Sequence, residues 1–121
     1  MTLGRFVCFS LALGSLGLAS CSDGDVVCTL EARPAIAVVV LDSITGAGLA
    51  ANAKAVAREG AFADTLRGID SLVSGVHERA GTYRVEVSIP GYRDWIREGV
   101  RVEQDQCHVQ TARLRALVVR Q

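Results

Sequence analysis

The sequence predicts an all-β fold class, a small Greek-key β-sandwich of about seven strands. Three observations point to it. Short apolar or alternating runs recur along the chain. Gly, Asp, Ser and Pro separate those runs as turn signals. No segment carries a convincing helical period. At 121 residues the chain has room for one domain.

The elements follow in order. Residues 35–41 (Ala-Ile-Ala-Val-Val-Val-Leu) are β-branched and apolar on both faces, the pattern of a well-covered strand. Asp42-Ser43-Ile44-Thr45-Gly46-Ala47-Gly48 is turn chemistry, because Asp and Ser bond neighbouring backbone and glycines permit positive φ. Residues 49–67 are rich in alanine, which favours helix. However, Gly60 interrupts them, and Lys54, Val56 and Arg58 alternate with Ala53, Ala55 and Ala57. The alternation predicts two strands, 53–59 and 61–66, joined near Glu59-Gly60. Gly68-Ile69-Asp70 reads as a further turn, and residues 71–77 as a short strand.

Residues 81–89 are the clearest strand. Tyr83, Val85, Val87 and Ile89 face one way, and Arg84, Glu86 and Ser88 the other, as in a half-buried antiparallel strand. Pro90-Gly91 ends it. Residues 92–104 read as another strand, interrupted at Gly99. Asp105-Gln106 turns the chain. Residues 108–118 form the last strand, with Ala112, Leu114, Ala116 and Val118 on one face.

Composition narrows the function classes. Thirteen basic and thirteen acidic residues cancel, so no nucleic-acid partner is expected. Half the residues are apolar, which argues against disorder. Six aromatics (Phe6, Phe9, Phe62, Tyr83, Tyr92, Trp95) leave little for a stacking platform.

The first residues read as an address. Arg5 is followed by an apolar run from Phe6 to Leu18, too short to span a bilayer comfortably and suited to a signal-peptide core. The run closes on Leu18-Ala19-Ser20-Cys21. This resembles a bacterial lipobox, the signal read by lipoprotein-processing enzymes. The resemblance implies a lipoprotein signal peptide at 1–20 and acylation of Cys21 as the first mature residue. Residues 21–34 then form the lipidated N-terminus and a short tether, and 35–121 the sandwich. The alternative is an ordinary secretory signal with a cysteine nearby. Several acyl chains on one residue anchor stably. Ser22 rather than Asp after the cysteine points to the outer membrane, by the rule of enterobacterial lipoproteins. Loss of Arg5 leaves twelve basic against thirteen acidic residues, so the lipid alone would contact the membrane.

That processing also sorts the cysteines. Cys8 leaves with the signal and Cys21 is capped. Cys28 and Cys107 remain in an oxidising compartment, and are expected to form a disulfide. The alternative is two free thiols. Cys107-His108 lacks a second cluster to complete a zinc site, so no metal or cofactor is expected.

Two segments carry a second resemblance. Residues 36–50, with Asp42, Thr45 and Gly46 after a hydrophobic strand, resemble the opening of carboxypeptidase regulatory-like domains. Residues 81–92, with Gly81-Thr82-Tyr83 and the closing Pro90-Gly91-Tyr92, are similar to the later Gly-x-Tyr strand of that family. The likeness covers about residues 35–118 and implies a transthyretin-like (prealbumin-like) sandwich, with no catalytic residues. Gly48 stands where proline is usual, and alanines fill 50–55. The Tyr-Arg-Gly-Ser sequence of the 5-hydroxyisourate hydrolases on a related fold does not occur.

Little else points to chemistry. His77 lies beside Glu78 in a polar turn, and His108 beside Cys107. Asp42-Ser43 reads as an Asx-type turn rather than as half of a dyad. Arg93, Trp95 and Arg97 would share one face of a regular strand, a surface suited to an envelope glycan or peptide. In the competing reading Trp95 packs in the core while the arginines snorkel around it. The leading expectation is a non-enzymatic, lipid-anchored envelope protein with an interaction or structural module. Its partner would be an envelope protein or glycan. A small hydrolase is the third reading, and it needs His108 within reach of a serine or an aspartate in a cleft.

Overall fold

The structure is a computed structural model, and it describes residues 26–121. Cys8, Cys21 and the expected signal peptide lie outside the described residues. The fold is all-β. Among the described residues seven strands follow in order: β1 (Pro34–Asp42), β2 (Lys54–Glu59), β3 (Phe62–Ile69), β4 (Leu72–His77), β5 (Gly81–Ser88), β6 (Trp95–Val102) and β7 (Ala112–Val118). A 3-10 turn, Ala50–Asn52, separates β1 from β2.

The sheet order is β6-β5-β2-β3-β4-β1-β7. All neighbours are antiparallel except β1 and β7, which run parallel. The β2-β3-β4 meander with β5 returning beside β2 is a Greek key. Strand β3 joins two halves. Its residues up to Leu66 pair with β2, and Arg67, Gly68 and Ile69 pair with β4. The sheet therefore folds over at Leu66/Arg67 into a near-barrel, equivalent to a small sandwich. The turn after β5 meets the chain end, with Tyr92 bridged to Arg120 and the Arg93 N–H donating to the Val119 carbonyl at 2.8 Å. This closes one end of the near-barrel beside β6 and β7.

The core lies between the halves. Alternation puts Val38 and Val40 of β1, Val85 and Val87 of β5, and Ala116 and Val118 of β7 inside, all almost fully buried. Ala55 and Ala57 are fully buried on β2, while Lys54 and Arg58 face solvent. Burial on a pleated surface overrides the helix preference of alanine there. Tyr83 buries its ring, and its hydroxyl donates to the Arg79 carbonyl at 2.7 Å.

Three boundaries differ from the sequence expectation. Gly68 is inside β3, not in a turn; the turn is Asp70-Ser71, with Asp70 at φ 55°. A Cβ at Gly68 would stand 1.7 Å from the Leu72 carbonyl oxygen, so close backbone approach requires glycine. Strand β6 spans Trp95–Val102 rather than 92–104, and the interruption expected at Gly99 is a β-bulge: Glu98 and Gly99 oppose only Arg84, between the Val85–Arg97 and Tyr83–Val100 pairs. Gly99 sits at φ 64°, where a side chain is disfavoured. Finally, β7 starts at Ala112 rather than at residue 108. The Asp105 carboxylate accepts from the Cys107 and His108 N–H groups, which holds those residues in a turn.

Candidate functional site

The termini of β1, β4, β6 and β7 bring chemistry to one end of the sandwich. Cys28, six residues before β1, is bonded to Cys107 in the β6–β7 connection, with an S–S distance of 1.98 Å. The expected disulfide is present. Its neighbours in sequence also meet. Thr29 Oγ1 lies 2.8 Å from His108 Nε2, and His108 Nδ1 lies 2.6 Å from Glu78 Oε1. The carboxylate requires a donor, so Nδ1 carries a proton, and in the neutral imidazole Nε2 then accepts from the threonine hydroxyl.

Glu78 is held in place from three sides. Its carboxylate accepts from the Arg33 N–H at 2.8 Å and the Val109 N–H at 3.2 Å, besides His108. The Arg33 N–H, then the His108 hydrogen bond, hold its carboxyl below the usual glutamate value, against an opposing effect of burial. Val76 and Glu78 both adopt left-handed backbone, at φ 57° and 53°. A β-branched residue is rarely found there. The Val76 N–H donates to Asp64 Oδ2 at 2.8 Å, which supports the bend that turns Glu78 towards His108. The segment before β1 is therefore clasped to the domain, by a covalent bond and by a hydroxyl–imidazole–carboxylate chain. Thr29 is exposed and His108 buried, beside a shallow depression of about 460 Å³.

A second polar node sits at the opposite end. Asp42 is 3% exposed. Its Oδ1 accepts from the Ile44 and Thr45 N–H groups, which is the expected Asx turn. Its Oδ2 accepts from the Tyr92 hydroxyl at 2.7 Å and from Arg120 Nε at 3.2 Å. The Thr45 N–H, then Tyr92, then the Ile44 N–H hold the Asp42 carboxyl far below its ordinary value.

The Arg93, Trp95 and Arg97 surface is only partly assembled. Trp95 opposes Val87, is half-buried and packs against the core. Arg97 opposes the core residue Val85, yet is exposed at the open side between β6 and β7. Its guanidinium lies 5.3 Å from the Trp95 ring centroid. Arg93 precedes the strand and is tied through its backbone to Val119. It does not join the other two on a regular strand face.

Sequence reasoning missed Thr29 and Glu78. Thr29 had a signal: once Cys28 pairs with Cys107, the residues that follow each cysteine are brought close. Glu78 had none, since only the strand order puts the β4–β5 connection beside His108. Among the described residues, no group of three or more His, Cys, Asp and Glu side chains is placed to hold a metal ion. Among the same residues, no helix is long and apolar enough to cross a membrane. Comparison with protein-family models and with curated protein sequences finds no match.

Proposed function

We propose that this chain is a lipid-anchored cell-envelope protein whose β-sandwich is a non-catalytic interaction module. The Cys28–Cys107 disulfide carries the reading. A disulfide is at home in an oxidising compartment, and this one begins seven positions after Cys21. A tether of that length reaches at most roughly 25 Å. The clasped end of the sandwich would then face the membrane, and the Asp42–Tyr92 end would point away. The two segments resembling carboxypeptidase regulatory-like domains meet at that far end, because Tyr92 bonds Asp42. This supports the likeness in architecture. Metabolic labelling with palmitate and detergent phase partitioning test the anchor. The wild-type chain should label and enter the detergent phase, and Cys21→Ala should do neither. Unchanged partitioning of the variant overturns the anchor.

One observation favours a second reading, a small hydrolase. Thr29, His108 and Glu78 stand in the order of a nucleophile, a base and an orienting carboxylate. Hydrolysis of p-nitrophenyl acetate by the full chain tests it, with Thr29→Val and His108→Gln as controls. A rate equal to that of both variants removes the hydrolase reading.

A further inference from the structure

The outer face of the β3-β4-β1-β7 half is unusual for a sheet surface. The pairing places Ile69, Leu72, Val39 and Arg115 in one row across it, and Arg67, Ser74, Ala37 and Arg113 in another. Leu41 and Leu117 are paired beyond the first row. Ile69, Leu72 and Leu117 are 76%, 45% and 46% exposed. A solvated antiparallel face normally alternates to polar residues. Here apolar side chains from four strands lie side by side, as at an interaction surface. The cover expected over both faces of β1 is present at Ala35 and Ala37, which are buried, and thins at Val39 and Leu41, which are half-buried.

The charge on this face has one sign. Arg67, Arg113 and Arg115 are exposed, and none forms an ion pair among the described residues. The nearby acids Glu31 and Asp105 line the lower groove, and both are engaged by other groups. Glu31 is paired with Arg33, Asp105 is engaged by backbone N–H groups, and Asp70 lies in the β3–β4 turn. The lower half of the face is concave, a groove of about 600 Å³ whose lining includes Ala37, Ser74, Leu72 and Arg113. Among the described residues, strand β7 has β1 as its one ladder partner, and its other edge is unpaired along most of its length.

We propose that this face docks an extended acidic segment of a partner protein, with apolar side chains over Leu72 and Leu117 and carboxylates on Arg113 and Arg115. The proposal rests on the interaction-module reading and names the partner's chemistry. Charge complementarity selects the occupant. A second copy of the chain would bring six arginines together across a two-fold axis. A bilayer interface is a poorer match, since the face carries no Trp or Tyr anchor and its lower half is concave. An extended segment fits the groove and can add its backbone to the β7 edge.

The test uses the full chain and three probes: a ten-residue peptide of alternating Leu and Glu, its Leu/Lys counterpart, and phosphatidylglycerol vesicles. Backbone NMR shifts locate binding and peptide anisotropy measures it. The acidic peptide should shift Val39, Leu72 and Leu117 and bind at least tenfold more tightly than the lysine peptide. The double variant Arg113→Glu/Arg115→Glu should lose at least tenfold for the acidic peptide and gain for the lysine peptide. Equal binding of both peptides, shifts confined to another face, or indifference to the double variant would overturn the proposal. So would vesicle binding through these arginines without peptide binding, or self-association abolished by Leu72→Asp. None of these results alters palmitate labelling or ester hydrolysis, so failure here is separable from failure of the function proposed above.

Discussion

The Tyr92 hydroxyl donates a hydrogen bond to Asp42 Oδ2 at 2.7 Å, joining the end of β1 to the turn after β5 across fifty positions. Arg120 adds a third segment at the same oxygen. One carboxylate thus ties the turn after β5 to the end of β1 and to the segment after β7, reinforcing the β1–β7 ladder and the Tyr92–Arg120 bridge. Tyr92→Phe should lower the melting temperature by roughly 5 °C, the scale of one lost hydrogen bond in a small domain. Asp42→Ala should lower it further, because the Ile44 and Thr45 N–H groups also lose their acceptor. Thermal unfolding followed by circular dichroism checks both.

Acid should destabilise the fold through these acceptors. Backbone N–H groups are the largest cause of the lowered pKa at Asp42, Glu59, Glu78 and Asp105. A carboxyl lowered in the folded state adds stability above its unfolded pKa, and that stability is lost as pH falls through the folded value. The melting temperature should therefore decline as pH falls below about 4.5 and keep declining with further acid. Asp42→Asn should show a shallower decline. A titration of melting temperature against pH reads the difference, and an unchanged slope would remove Asp42 from this account.

The disulfide closes a loop of seventy-nine positions. In the chain-entropy picture this is about 4 kcal/mol of stabilisation, a large part of what a domain this small retains. The double variant Cys28→Ala/Cys107→Ala should lose stability on that scale in urea unfolding. It should also loosen Thr29 from His108, visible as a changed imidazole NMR signal.

Arg97 covers one side of Trp95. Arg97→Ala should increase acrylamide quenching of the single tryptophan and lower stability by about 0.5–1 kcal/mol. Unchanged quenching would show that the guanidinium does not shield the ring.

Much of the fold was legible because period-two burial leaves a mark on sequence. Tyr83, Val85, Val87 and Ile89 are all buried as their alternation requires. The alanines of β2 were readable as a strand by the same alternation, despite their helix preference. Glycine misled at Gly68, since a close backbone approach and a turn select the same residue. His108 was placed in the final strand because the Asp105 turn extends two residues beyond Asp105-Gln106. Of the candidate site, the cysteine pair was legible and Glu78 was not.

By itself, the sequence determined the all-β class and the strand hairpins, because each depends on local pattern; the Cys28–Cys107 pairing was reached through the expectation that Cys8 leaves with a signal peptide and Cys21 is capped. Only the tertiary structure decided what meets across the fold. It brought Glu78 to His108 and Tyr92 to Asp42, folded the sheet over at β3, and left Leu72 and Leu117 about half exposed beside three arginines that form no ion pair among the described residues. The reason is physical. Alternation tells a strand which side is which, but strand order decides what lies opposite each side, and here β1 meets core on one face while its other face is buried at Ala35 and Ala37 and half-buried at Val39 and Leu41.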